Sequence, residues 1–248
     1  MEVTLAPPVR GEDLALAAAL GIAVAGARDP SGWQLVRTVR GTIALHSPAA
    51  MGDLGIELDP GSGALGRRLR GCRRDDPLAR AIGLPQRQEP PSVFDATAGL
   101  ARDAMVLAQL GCRVTGCERV PAFVLLVRAA LAGTRLAERL QVEAGDAAER
   151  LRQLADAAAP DVVYLDPMFD DAGSAQVKKE MQVCRALAAP PDDAAALLQL
   201  ARGIARQRVV VKRHPHLAPL ADGVSFRIDG NRVRFDVYLT APAATPPR

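Results

Sequence analysis

Residues 162–169, VVYLDPMF, end an apolar run with a carboxylate, a proline and an aromatic ring. An exocyclic amino group on a nucleic-acid base is a weak nucleophile because its lone pair is delocalised into the ring. Hydrogen-bond acceptors fixed around its N–H groups can hold the nitrogen in line with an electrophile. Asp166 and the carbonyl of Pro167 are candidate acceptors, and Phe169 offers a face for stacking an extruded base. Asp166, Pro167 and Phe169 are therefore the predicted catalytic residues.

A second set of candidates follows the stretch SVFDATAGLARD, residues 92–103. Gly99 allows the backbone to approach a ligand closely, and the helix that follows favours a negative group at its N-terminus. Neither GxGxxG nor GxxxxGK[ST] is present, which counts against a dinucleotide and a P-loop nucleotide. Glu118 ends the next strand, 19 residues after Gly99. An acid at that spacing can accept hydrogen bonds from both hydroxyl groups of a ribose.

The third strand ends in Gly145 and Asp146, which complete a predicted adenosine pocket. Asp146 can accept a hydrogen bond from an adenine amino group, cap the next helix, or do both. The turn has no phosphate-binding glycines, so S-adenosylmethionine (SAM) fits better than a nucleotide. Arg102 can pair with the carboxylate of its amino-acid end, and Asp103 with the ammonium group or backbone.

The candidate residues can form one site only if they lie at the same edge of a sheet. The sequence pattern from residue 92 onward predicts such a sheet. Apolar runs alternate with helical segments, as in a doubly wound, mostly parallel sheet, where ligands bind outside the carboxyl ends of the strands. A hairpin about Asp229–Asn231 closes the chain as an antiparallel edge. We expect an α/β fold with this domain at 89–248 and a small mixed α/β subdomain of short strands and one helix at 1–88.

Bulk composition narrows the class of protein. With 49% hydrophobic and 24% charged residues, the chain is typical of soluble globular proteins. No apolar run approaches the roughly 20 residues of a membrane span, and the acids before the run at 14–27 argue against a signal peptide. Four scattered cysteines fit a reducing cytosol, and the cysteine and histidine spacings do not match a zinc site. We expect a cytoplasmic protein without a metal or a membrane partner.

The stretches VFDATAGLARDAMVLAQLGCRVTGCER, VVYLDPMF, VKKEMQV and RVVVKR resemble the RsmJ family. These are bacterial methyltransferases that modify the N2 atom of one guanosine in 16S small-subunit ribosomal RNA. The resemblance implies a class I Rossmann-like, SAM-dependent methyltransferase domain, and it covers the N-terminal part loosely through GALGRR. Matched residue by residue, it implies cofactor contacts at Arg102, Asp103, Glu118, Arg119, Gly145, Asp146 and Asp166.

Two sites depart from the family pattern. The family tends to continue after the DPMF motif with proline and basic residues, whereas this chain has Asp170 and Asp171, which would repel phosphate. At the adenine site the family often has hydroxyl residues where this chain has Gly145 and Asp146. The adenine contact must therefore differ in detail.

Clustered basic residues are the predicted contacts to RNA phosphates. The segment 61–88 holds seven arginines against two aspartates, a local charge of +5, although the whole chain carries only +3. The three lysines of the chain lie elsewhere, which suggests that a compact ammonium group is needed there. The partner would be 16S ribosomal RNA or the small ribosomal subunit. The predicted contacts are Arg67, Arg68, Lys178, Lys179, Lys212 and Arg213.

Several alternatives stay open. An amino-acceptor loop of this kind serves adenine N6 or cytosine N4 as well, in RNA or DNA, and only the resemblance selects guanine N2. A nicotinamide-dependent oxidoreductase would also hold an adenosine ribose, although the missing glycines argue against it. A non-catalytic RNA-binding module would not need the acids Asp103, Glu118 and Asp166. In a purely structural interpretation, Asp166 caps a turn and Phe169 lies in the core.

Overall fold

The computed structural model describes residues 2–52, 54–154, 158–167, 179–188 and 193–240, with only the backbone at 179–181. Four residues discussed above, Phe169, Asp170, Asp171 and Lys178, lie outside the described residues, as does the side chain of Lys179. The described strands form two sheets, one of five strands and one of seven. None of the described helices is both long and apolar enough to cross a membrane.

The first sheet is mixed and is built from the short apolar runs predicted in the N-terminal part. Its order is β2-β1-β3-β4-β5, with β1 parallel to both neighbours and the last three strands antiparallel. The elements are β1 (Val3–Ala6), α1 (Gly11–Ala19), β2 (Ala23–Val24), β3 (Trp33–Arg37), β4 (Ile43–His46) and β5 (Ile56–Glu57), with a 3-10 helix at Ala49–Met51.

The basic segment folds into two helices, α2 (Gly63–Gly71) and α3 (Pro77–Ala81), which the sequence pattern did not predict. Leu65 and Leu69 of α2 are buried, while the arginines between and beside them are exposed. This i, i+4 spacing of apolar residues gives the helix one buried face, so Arg67 and Arg70 lie on the outside.

The second sheet has the order β11-β12-β10-β9-β6-β7-β8. All neighbours are parallel except those formed by β12, which runs antiparallel to both β10 and β11. This confirms the doubly wound sheet with an antiparallel terminal hairpin. Its elements are β6 (Ser92–Asp95), α4 (Arg102–Gln109), β7 (Arg113–Glu118), α5 (Pro121–Leu131), a 3-10 helix (Arg135–Glu138), β8 (Leu140–Ala144), α6 (Ala147–Gln153), β9 (Val162–Leu165), α7 (Lys179–Leu187), α8 (Ala194–Ile204), β10 (Arg208–Arg213), β11 (Phe226–Asp229) and β12 (Arg234–Leu239).

The central strand β9 is buried on both faces. Val162 and Tyr164 belong to the hydrophobic cluster on one face, and Val163 and Leu165 to the cluster on the other. Because side chains alternate along a strand, such a strand reads as a continuous apolar run. The end of β9, at Asp166, lies beyond these buried positions at the carboxyl edge of the sheet.

The two sheets share one hydrophobic cluster. It includes Leu5, Leu35 and Leu45 from the first sheet together with Leu125 and Leu126 of α5. The residue predicted as a boundary, 88, falls in the connection between α3 and β6. The division into domains at 1–88 and 89–248 stays a prediction, since the shared core joins the two parts.

Candidate functional site

A cavity of about 640 Å³ lies at the carboxyl ends of β6, β7, β9 and β10. This is the edge where the sequence pattern predicts a ligand site, outside the carboxyl ends of parallel strands. Most of the predicted cofactor residues line it, namely Gly99, Arg102, Asp103, Glu118, Arg119, Gly145 and Asp166.

The turn after β6 is held against both neighbouring strands. Ala96 N donates to Tyr164 O at 2.9 Å, and Ala98 N donates to Cys117 O at 3.1 Å. Gly99 adopts φ +52°, and Ala101, the residue before α4, has the same φ. A left-handed conformation is strained for alanine and accumulates at functional sites, so the turn is fixed by its surroundings rather than by local preference.

Glu118, at the end of β7, is held by backbone groups. Its Oε2 accepts from Gly99 N at 2.8 Å, and its Oε1 accepts from Val120 N at 2.7 Å. Burial raises the pKa of this carboxyl, and the two backbone N–H groups oppose that rise. Each oxygen has a further lone-pair direction, so the carboxylate can also accept from two hydroxyl groups of a ligand.

Gly145 and Asp146 follow β8 but play different parts. Gly145 lines the cavity, and its N–H donates to Glu118 O at 3.0 Å. Asp146 Oδ1 accepts from Glu149 N at 2.9 Å and thereby caps α6. The capping role of Asp146 is confirmed, while its contact to adenine stays a prediction.

On the other side of the cavity, Asp103 is the centre of a network of side chains. Its Oδ2 accepts from the Tyr164 hydroxyl at 2.6 Å and from Lys212 Nζ at 2.9 Å, and its Oδ1 accepts from Arg68 of α2. Lys212 Nζ also donates to Asp166 Oδ2 at 2.7 Å. Two carboxylates and two cations are thus gathered at one end of the cavity.

The charges in this network shift its pKa values in opposite directions. Burial by itself raises the pKa of Asp103, but the charges of Lys212 and Arg68 outweigh it and hold that pKa well below its usual range. Burial raises the pKa of Asp166, with Lys212 opposing it. Burial alone would lower the pKa of Lys212, but the two aspartates raise it. Asp103 and Lys212 are therefore both ionised at neutral pH.

Asp166 is also tied to the turn after β6. Its backbone N–H donates to Thr97 Oγ1 at 2.6 Å, and Thr97 N donates to Asp95 Oδ1 at 3.1 Å. Pro167 lines the cavity next to Asp166. The predicted catalytic end of β9 and the predicted cofactor turn are therefore one hydrogen-bonded unit.

Asp95 and Tyr164 line the cavity but were not among the predicted site residues. Asp95 is 2% exposed, and burial raises the pKa of its carboxyl to about 8. The rule that selects acids at strand ends applies to Asp95 as well as to Glu118, so this residue had a signal. Tyr164 lies inside an apolar run. The only signal for it in the sequence is that the hydroxyl group of a buried tyrosine usually needs a hydrogen-bond partner.

The predicted phosphate contacts are placed differently from one another. Arg67 is exposed on α2, whereas Arg68 reaches into the cavity to Asp103. Lys212 and Arg213 line the cavity on the ligand side of the sheet, as expected, but both side chains bond to protein groups, and their contact to phosphate stays a prediction. Lys212 bonds to two carboxylates, and Arg213 is 7% exposed and donates to the carbonyl of Ala218.

No group of three or more histidine, cysteine, aspartate or glutamate side chains suited to a metal ion occurs in the described part of the chain. His214 and His216 lie exposed in the loop after β10, with ring centroids 5.3 Å apart. The site as described works with carboxylates, cations and backbone groups.

Comparison with known proteins agrees with this geometry. Residues 26–240 match the SAM_MT family model, described as "Putative SAM-dependent methyltransferase". A crystal structure of a SAM-dependent methyltransferase from Neisseria gonorrhoeae superposes with a TM-score of 0.74 at 26% identity, covering 98% of this chain and 97% of that one.

Two similar relatives are both named ribosomal RNA small subunit methyltransferase J. The protein of Thioalkalivibrio sulfidiphilus is 43% identical over 91% of this chain and 92% of its own length. That of Nitrosococcus oceani is 43% identical over 80% of this chain and 81% of its own length. On this similarity, together with the family match, the chain belongs to the RsmJ family of SAM-dependent methyltransferases.

Proposed function

We propose that this chain transfers a methyl group from SAM to the exocyclic N2 amino group of a guanosine in 16S ribosomal RNA. The observation that carries the proposal is the hydrogen bond from Asp166 N to Thr97 Oγ1, at 2.6 Å. It joins the strand end suited to an amino group with the turn suited to a cofactor. Methyl transfer needs these two parts side by side, because the reacting atoms must meet in one orientation.

The residues present fit SAM. Glu118 keeps acceptor capacity for the two ribose hydroxyls after binding Gly99 and Val120, and Phe123 and Ala147 add apolar walls suited to an adenine ring. Arg102 and Asp103 open α4 beside the turn, where the amino-acid end would lie. When bound, SAM supplies an electrophilic methyl group on a positively charged sulfur.

The protein's own part in the reaction is positioning and proton acceptance. Asp166 Oδ2 is taken by Lys212, so Oδ1 and the carbonyl of Pro167 are the acceptors we assign to the amino N–H groups. Acceptors on these hydrogens favour pyramidal nitrogen and aim its lone pair. The carboxylate of Asp166 can then take the proton that the nitrogen loses. Stacking of the base on Phe169 remains part of the proposal.

The substrate would be 16S ribosomal RNA, as free RNA or within the small subunit, which places the enzyme in the cytoplasm. Arg67 and the other exposed arginines of α2 lie on the helix whose Arg68 reaches the cavity. Phosphates bound along this helix would bring the target base to the cavity mouth. Lys178 and Lys179 remain proposed contacts of the same kind.

The proposal is tested by methyl transfer from labelled SAM. Small subunits from a strain lacking this gene, their naked RNA and DNA serve as three parallel substrates, with Asp166→Ala as the inactive control. We expect labelling of subunits or their RNA by the wild-type protein only. Absence of transfer to all three substrates would refute the enzyme function, and transfer to DNA alone would favour another base and polymer. A fluorescence titration with NADH and with S-adenosylhomocysteine (SAH) separates the oxidoreductase alternative, which requires NADH binding.

A further inference from the structure

Lys212 stands between two carboxylates that come from different elements. Its Nζ donates to Asp103 Oδ2 of α4 at 2.9 Å and to Asp166 Oδ2, at the end of β9, at 2.7 Å. The Lys212 side chain is 24% exposed. A lysine that binds an RNA phosphate exposes its ammonium group to solvent, whereas the ammonium group of Lys212 bonds to two carboxylates in the cavity.

The shape of the ammonium group suits this place. A lysine ammonium donates three hydrogen bonds from one compact atom, while a guanidinium donates from a planar fork. Here a single nitrogen must reach two carboxylates on separate elements. Only three of the 31 basic side chains of this chain are lysine, and one of them occupies this position.

Lys212 is also the principal cation acting on Asp166. Burial raises the pKa of Asp166, and the charge of Lys212 is the largest influence that opposes it. Without that ammonium, Asp103 and Asp166 would repel each other across the cavity. The charged or titratable groups around Asp166 come from five elements and are Arg68 of α2, Asp95 of β6, Asp103 of α4, Tyr164 of β9 and Lys212 of β10.

We infer that Lys212 is a positioning residue for methyl transfer, fixing the carboxylate of Asp166 beside Asp103 so that Oδ1 of Asp166 faces the target amino group. The inference rests on the proposed function and adds to it a residue that acts through Asp166. In this role Lys212 contacts neither the methyl group nor an RNA phosphate. Its loss would leave Asp166 present but misplaced and more readily protonated.

The test compares Lys212→Met, Lys212→Arg and the control Arg113→Met in the full-length protein. Arg113 is an exposed cation at the amino end of β7, at the opposite edge of the sheet. Three experiments are made: kinetics with small subunits from pH 5 to 9, which give kcat and KM, calorimetry with SAH, which gives Kd, and thermal unfolding of the cofactor-free protein at pH 5 and pH 8.

We expect Lys212→Met to lower kcat by about 100-fold, within the range for loss of a positioned catalytic group. Its KM for subunits and its Kd for SAH should change by less than about tenfold, since the binding contacts remain. The acid limb of its kcat profile should move to higher pH by about one unit or more, because an opposing cation is lost. Its melting temperature should fall more at pH 8 than at pH 5, for the same reason.

Lys212→Arg is expected to lose most of the activity although it keeps the charge, and Arg113→Met should behave like the wild type. If Lys212→Met instead raises KM for subunits, Lys212→Arg does not, and both leave kcat and the pH profile unchanged, Lys212 is a phosphate contact and the inference is wrong. If Lys212→Met no longer binds SAH, Lys212→Gln, which keeps a donor without charge, is judged by the same criteria. A wild-type protein that methylates none of the substrates would refute the proposed function itself, a result distinct from either outcome.

Discussion

The cavity has two halves that are held in place by different means. The backbone-held half, comprising Gly99, Glu118, Val120 and Gly145, fixes its carboxylate with main-chain N–H groups. The side-chain-held half, comprising Arg68, Asp103, Tyr164, Asp166 and Lys212, fixes its carboxylates with other side chains.

The difference matters for function. Main-chain donors are set by the fold and keep one geometry, which suits the recognition of a constant cofactor. Side-chain donors carry charge and can respond to a ligand, which suits the end of the cavity where charge changes during the reaction. The two halves should therefore fail differently when they are mutated.

The largest effect is expected from removing the central charge of the side-chain-held half. Asp103→Asn would leave Arg68 and Lys212 short of a carboxylate in a largely buried place. Breaking a fully buried ion pair costs about 3 kcal/mol or more of unfolding free energy, and because the Arg68 side chain is 45% exposed we expect about 2–3 kcal/mol here, measured by urea unfolding of the cofactor-free protein at pH 7. The exposed Asp75→Asn is the control and should change stability by less than about 0.5 kcal/mol. If Asp103→Asn lost no more stability than the control, the side-chain network would not stabilise this half of the cavity.

Mutating the backbone-held half is expected to have a smaller effect, and on affinity for the cofactor rather than on stability. Glu118→Ala removes the carboxylate that accepts from two main-chain N–H groups and, in the proposed complex, from the ribose hydroxyls. Losing hydrogen bonds to a charged group costs about 1.5–3 kcal/mol of binding free energy. Affinity for SAH, measured by calorimetry, should weaken roughly 10- to 100-fold. At saturating SAM the kcat should stay within about threefold of wild type, because binding and not the chemical step is altered. Unchanged affinity with a lowered kcat would mean that the halves are not separable.

Asp95 lies under the turn between the two halves and gives a prediction about pH. Its pKa of about 8 in the folded protein exceeds that of an unfolded aspartate, so the folded state binds the extra proton between pH 4 and pH 8. The stability that Asp95 contributes should therefore fall as pH rises through this window, by up to about 1.4 kcal/mol per unit. Asp95→Asn should remove that slope in urea unfolding at pH 5, 6, 7 and 8, whereas the exposed Asp222→Asn should retain it. Parallel curves for wild type and Asp95→Asn would contradict the raised pKa.

The smallest effect is expected outside the cavity, on α2. Arg67→Ala should weaken small-subunit binding modestly and lower the slope of log Kd against log salt by about 1, as expected for one phosphate contact. Arg68→Ala, one residue along, should instead alter SAH binding or kcat because its guanidinium bonds to Asp103. Binding titrations at several salt concentrations distinguish the two, and an equal salt slope for Arg67→Ala and wild type would remove Arg67 from the RNA contacts.

The same contrast explains how far the sequence could predict this site. Glu118 and Gly99 were accessible because strand ends and their spacing are local features of the chain. The contacts of Asp103 were not, since Arg68 lies 35 residues away from it in the chain and Lys212 lies 109 away. Residue type and position at a strand end predicted Lys212 as a phosphate contact, and neither could show that its ammonium bonds to Asp103 and Asp166. The helices of the basic segment were missed because its charge pattern hides the apolar spacing of Leu65 and Leu69.

The most direct test of the central claim is the identity of the methylated nucleoside. Small subunits from a strain lacking this gene are incubated with methyl-labelled SAM and the protein, and their 16S RNA is digested to nucleosides for chromatography and mass spectrometry. We expect label in N2-methylguanosine at one position, with none after incubation with Asp166→Ala. Label in N6-methyladenosine or N4-methylcytidine, or in N2-methylguanosine at undiminished yield with Asp166→Ala, would contradict the central claim.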